Sequence, residues 1–126
     1  MNPVLVIGAV LGLLSVAIGA SAEHLIRQNV EPEIWRWVMT AVRYHQIGAV
    51  IVTAIGLALA AGVGAAHRFI LSAGFLIAGT VLFSFSIYAA ALTGIEKLTY
   101  LTPLGGVSLM FGWLLLIWAG FAANRE

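Results

Sequence analysis

The sequence predicts an all-α, membrane-embedded antiparallel four-helix bundle, on three observations. Of the 126 residues, 62% are hydrophobic and only 9% are charged, where a soluble domain carries about 25% charged residues. Mean hydropathy is +1.06. Four apolar runs each approach or exceed the roughly 20 residues needed to cross a bilayer as a helix. A chain this short and this apolar cannot cover its own core with polar surface. Lipid is therefore its expected solvent, and a single four-span domain over residues 1–126 its expected organisation.

The runs are Val4–Ala22, Val38–Gly62, Phe69–Leu92 and Pro103–Ala122. The only charge inside them is Arg43, near the start of the second. Short links make consecutive spans antiparallel neighbours. Glu31-Pro32-Glu33 places proline at a first helical position with acids at the positive end of the helix dipole, so the second helix is expected to start near Pro32, outside the hydrocarbon. Thr102-Pro103 reads as an N-cap followed by proline. Residues 63–68 form a tight turn, and Trp35, Trp37, Tyr100 and Trp118 fall near run ends, where amphipathic rings favour the headgroup layer. Ala20-Ser21-Ala22 has the small residues of a leader cleavage site. However, no Lys or Arg precedes the apolar run, and its glycines form a packing face. The first run is therefore expected to be a span.

Lipid tails are as apolar as leucine, so membrane helices associate through close backbone approach at small residues. Each run offers such a face: Gly8, Gly12, Ser15 and Gly19; His45, Gly48, Ala49, Val52, Gly56 and Ala60; Ser72, Gly79 and Ser86; and Gly105, Ser108, Gly112 and Ala119. Internal packing is their expected use, with an oligomer or partner face as the alternative. Ser84 and Ser86 are expected to bond back to carbonyls of their own helix.

Four spans put both termini on one side and the links 23–37 and 93–102 on the other. Glu23, His24, Tyr44, His45, Glu96, Lys97 and Thr102 all fall toward the link side. Helical spacing aims His45 into the bundle with Gly48 and Gly56, and Arg43 away toward phosphate. These seven residues are expected to form one connected rim network centred on His24, with Tyr44 and Thr102 as the nearest partners for the histidines. A latch tying helix ends together is the preferred role; a histidine protonation switch is the alternative.

Other motifs are best read together. Gly19-Ala20 with His24, Thr40-Ala41-Val42 with Tyr44, Val81-Leu82-Phe83-Ser84 with Ser86, Tyr88 and Ala91-Leu92-Thr93-Gly94, and Thr102-Pro103-Leu104-Gly105-Gly106 followed by Gly112-Trp113 occur in order along nearly the whole chain. In this the sequence resembles the YgdD-like family of small bacterial membrane proteins of unknown function. The resemblance implies a multi-pass protein of the bacterial cytoplasmic (inner) membrane, and brings no activity, substrate or cofactor. The sequence departs from the family pattern at Ser21-Ala22-Glu23, at Gly48 where a second histidine is usual, and at Phe85 where glycine is usual. A role requiring two fixed histidines is thereby disfavoured.

A net charge of +1 argues against nucleic acid, and the absence of cysteine excludes disulfides, thiolate metal sites and thiol redox chemistry. No metal site, cofactor or enzymatic activity is expected. The leading functional expectation is an interaction or accessory subunit that packs in the lipid bilayer against itself or a larger membrane protein. The alternative is a small transporter or channel, disfavoured because the midplane is expected to hold only Gly, Ser, Thr and aliphatic residues. A haem protein would need facing axial histidines, for which only His24 and His45 at one rim qualify. Local counting of basic residues sets Arg27, Arg36, Arg43 and Lys97 against Arg68 and Arg125, which favours termini outside. The family pattern favours cytoplasmic termini, and that is the orientation expected here, because homologous proteins rarely invert.

Overall fold

The computed structural model describes residues 1–123; Arg125, used above in the count of basic residues, lies outside them. Among the described residues the chain is all-helical apart from its turns, with four helical spans long and apolar enough to cross a membrane: Pro3–Leu25, Pro32–Ala60, Ala66–Thr93 and Glu96–Ala122. The first is helix α1 and the second is α2. The third comprises α3 (Ala66–Thr80), a wide π-helical turn (Val81–Phe85) and α4 (Ser86–Thr93). The fourth begins as a 3₁₀ turn (Glu96–Leu101) and continues as α5 (Thr102–Ala122).

The ends follow from local chemistry. The Asn2 side chain accepts a hydrogen bond from the Leu5 N–H and caps α1 just ahead of Pro3. Pro32 opens α2 as expected, with Glu33 in its first turn. Thr102 does not cap α5: it is already helical, because the preceding 3₁₀ turn feeds into the helix, and its hydroxyl is engaged elsewhere. Gly94 ends α4 at φ +76°, a conformation open to glycine without steric cost. Between α2 and α3 the chain reverses through Gly62 and through Ala65, which holds a left-handed φ of 57° despite its Cβ.

The spans pack mainly in chain order, α1 on α2, α2 on the third span, and the third span on α5; α1 also touches the third span, and among the described residues it makes no substantial contact with α5. Two core clusters result. One joins Ala22, Val38, Ala41, Val42, Ile87 and Tyr88 near the link side; the other joins Val52, Ile55, Phe69, Leu76, Leu109 and Ala119 toward the termini. Glycines set the spacing. A Cβ on Gly8 would lie 2.6 Å from the Thr53 nitrogen, one on Gly56 2.6 Å from Leu5 Cα, and one on Gly79 2.7 Å from the Leu109 nitrogen. Gly48 abuts the Thr80 hydroxyl, and Gly105 abuts the Phe83 backbone inside the π turn. Gly12 and Gly19 are only partly covered: the nearest atoms to a Cβ there are Ala49 Cβ at 3.9 Å and Val42 Cγ1 at 3.5 Å.

Candidate functional site

Facing pairs fix the depth of each residue. Gly8 faces Thr53, Gly12 faces Ala49 and Gly19 faces Val42, which places His45 level with Val16, close to the middle of α1. At 1.5 Å per residue, His24 is about 12 Å farther along α1. His45 is therefore not a rim residue, and the expectation that the midplane holds only small and aliphatic side chains is corrected. The sequence places His45 correctly on the inward face, but helix α2 starts at Pro32, about four residues outside the level where α1 ends, so counting from the apolar run misjudges its depth.

His45 is fully buried. Its Nδ1 is hydrogen-bonded to the Tyr88 hydroxyl at 3.0 Å. The Phe85 ring packs edge-on at a centroid distance of 5.2 Å. The Leu11 carbonyl of α1 faces the imidazole, yet Nε2 has no hydrogen-bond partner among the described residues. A buried polar atom in that condition is uncommon. Beside this pair, the Ser84 hydroxyl donates across the helix boundary to the Ala41 carbonyl at 2.7 Å. Ser84 was expected to bond within its own helix; the π turn gives the span an extra residue and points the hydroxyl at α2 instead. Ser86 does bond back, to the Phe83 carbonyl at 3.0 Å, and also shares a 2.6 Å hydrogen bond with Thr102.

The rim network expected around His24 is not assembled. Glu23 pairs with Arg27, at 2.8 Å on an exposed face of its own chain segment. His24, Glu96 and Lys97 are exposed, and no side-chain hydrogen bond among the described residues joins them. Tyr44 is turned outward and packs on Phe83 at a centroid distance of 4.7 Å. Thr102 binds Ser86, and His45 binds Tyr88. The seven predicted residues thus divide into exposed Glu23, His24, Glu96 and Lys97, an outward-turned Tyr44, and His45 and Thr102 in two separate hydroxyl contacts. The rim lies in water, where charged side chains are satisfied without one another; the depth of the bundle is where polar groups must find protein partners. Facing haem ligands are likewise not formed, since His24 and His45 stand at different depths.

The sequence reading missed Tyr88 as the partner of His45, and missed Gln46. Helical spacing held a signal for both: Tyr88 stands four residues after Ser84 and so on the same side of the span, and Gln46 stands three after Arg43 on the outward face of α2.

Four long apolar helices, glycine-mediated contacts and polar groups paired inside the bundle define a small integral membrane protein with multiple spans. A family model described as "Protein of unknown function (DUF423)" matches residues 18–106. The chain is 32% identical over 122 residues to the UPF0382 inner membrane protein YgdD of Escherichia coli (strain K12), covering 97% of this chain and 92% of the relative. It is 32% identical over 121 residues to the UPF0382 membrane protein YwdK of Bacillus subtilis (strain 168), covering 93% and 94%. To a UPF0382 membrane protein of Haemophilus influenzae it is 30% identical over 123 residues, covering 98% and 97%. No solved structure matches. The chain belongs to the DUF423 family and is a multi-pass protein of the bacterial cytoplasmic (inner) membrane whose family has no assigned activity.

Proposed function

We propose that this chain is a small non-enzymatic accessory subunit that acts by packing within the bilayer against itself or a larger membrane protein. The observation that carries this reading is the one-sided packing of α1. It rests mainly on α2, with a smaller contact on the third span and no substantial contact with α5 among the described residues, so that its glycine face at Gly12 and Gly19 is only half used. Small-residue faces are where membrane helices approach one another, and an unused one fits a partner. Crosslinking in native membranes followed by purification tests the reading. The expected result is a complex containing this chain; a strictly monomeric protein with no copurifying partner overturns it. Cytoplasmic termini remain part of this proposal, and a C-terminal reporter active only outside the cytoplasm overturns that orientation.

A second reading, a small transporter or channel, is favoured by a specific feature: the mid-depth His45–Tyr88 pair, with Nε2 unpartnered, beside a π turn. Ionisable groups and irregular helices at that depth mark substrate paths in membrane proteins. Reconstituted protein that gives proton or ion flux no faster than empty liposomes overturns this reading.

A further inference from the structure

The outward side of the α1–α2 pair carries a feature that a lone chain in lipid leaves unsatisfied. Gln46 is exposed on α2, one residue from His45 and so near the middle of the span. Its amide nitrogen lies over Gly19, 3.8 Å from where a Cβ there would stand. None of the side-chain hydrogen bonds among the described residues includes it. At that depth water is absent, and a carboxamide with no partner costs free energy. The hydroxyls nearby behave differently: Ser15, Thr53 and Thr80 each bond to a carbonyl of their own helix.

Gln46 opens onto a groove of about 630 Å³ between α1 and α2. The floor is made of small residues, among them Ala9, Gly12, Ala49 and Ala54. The same face carries projecting side chains: Leu13, Val16, Val50 and Leu57 are all more than half exposed. Arg43, one turn nearer the link side on this face, is close enough to the headgroups for its long side chain to reach them. Ser15 and Thr53 of this face are satisfied within their own helices, so Gln46 is the polar group that stays at depth without a partner among the described residues.

We propose that this groove is the interface with a second copy of the chain, related by a two-fold axis along the membrane normal, with the two Gln46 amides hydrogen-bonded to each other. This rests on the accessory-subunit reading and names its partner. A primary amide is both donor and acceptor, so it is its own complement at equal depth. A two-fold interface needs ridge and groove on one and the same patch, which is what the leucine and valine ridges beside the alanine and glycine floor provide. A partner of different chemistry would need no such self-complementarity.

The chain contains no cysteine, so a single Val50→Cys substitution reports on this face alone and keeps Gln46. With a membrane-permeant oxidant in native membranes it is expected to give a disulfide-linked species of two chains. Leu114→Cys, on the exposed face of α5, is expected to give none. In bilayers, energy transfer between labelled copies measures the dimer; Gln46→Leu is expected to weaken it about three- to tenfold, and Ala54→Trp, which fills the groove from an exposed position, to abolish it. Val50→Cys that fails to crosslink, or a dimer indifferent to both Gln46→Leu and Ala54→Trp, overturns the proposal. A Val50→Cys adduct with a larger, different protein overturns the second-copy interface and leaves the accessory reading standing. A monomer without partners in native membranes removes both.

Discussion

The contact of α1 with α2 and the contact of the third span with α5 are both built on glycine, yet they are held differently. In the second, hydroxyls stitch the spans together: Ser72 donates to the Gly112 carbonyl at 2.7 Å, Ser108 donates to the Phe75 carbonyl at 2.8 Å, and Ser86 and Thr102 share a hydrogen bond. In the first, the one side-chain hydrogen bond between the two helices among the described residues is the Asn2 amide donating to the Gly56 carbonyl at 2.8 Å, at the terminal side. The rest is close backbone approach. In lipid, packing and hydrogen bonds are the available sources of helix affinity, so the two pairs should differ in strength and in purpose. The stitched pair forms a fixed core. The α1–α2 pair is held at one end and keeps polar and small groups turned outward, which suits an element that also meets a partner.

The largest expected effect that tests this difference is at Gly105. Its missing Cβ would run into the Phe83 backbone, which cannot rotate away. Gly105→Ala is expected to lower stability by about 3 kcal/mol, measured as the unfolding midpoint in mixed detergent micelles. Gly56→Ala meets backbone too, at Leu5, but only at the terminal end of α1. It should loosen α1 and expose a cysteine introduced at its buried Leu11 to labelling, while moving the global midpoint less. Equal losses at the two sites would break the distinction between the pairs.

Gly112→Leu comes next, with an expected loss of roughly 2 kcal/mol. A Cβ at Gly112 would stand 2.6 Å from Leu76 Cγ and 3.1 Å from the Leu76 nitrogen. The near atoms belong to a side chain that can partly yield, so the cost falls below that at Gly105. An unchanged midpoint would mean that α5 can slide on α3 despite its serine bonds.

A smaller effect isolates the stitching. Ser72→Ala removes the bond to the Gly112 carbonyl from a fully buried site and is expected to cost about 1 kcal/mol. Ser84→Ala, which removes the bond to the Ala41 carbonyl, should cost a similar amount at the α2 boundary. If neither moves the midpoint, close packing alone holds both pairs.

The smallest effect is a control. A Cβ at Gly74 or Gly120 would meet nothing within 4 Å. Gly74→Ala and Gly120→Ala should therefore leave the midpoint unchanged or raise it by up to roughly 1 kcal/mol, through the entropy that glycine loses in a helix. A loss at either position would show that a glycine at these outward positions serves an interface the single chain does not display.

Composition and run length by themselves determined that this chain crosses a membrane four times, because hydrocarbon excludes charge and demands helices of a set length. Small-residue spacing determined most inward faces: Gly8, Gly48, Gly56, Gly79, Gly105 and Gly112 are all buried where the spacing put them. Gly12 and Gly19 share that spacing and stay half open, since spacing specifies a face and not what covers it. Only the tertiary structure decided the rest. It put His45 at mid-depth with Tyr88, because depth depends on how far α2 extends beyond α1. It turned Ser84 to a neighbouring helix through a π turn that no local residue signalled. It left the rim charges separate and Gln46 facing outward, because which polar groups meet is set by the packing order of the spans, and that order depends on contacts between residues far apart in the chain.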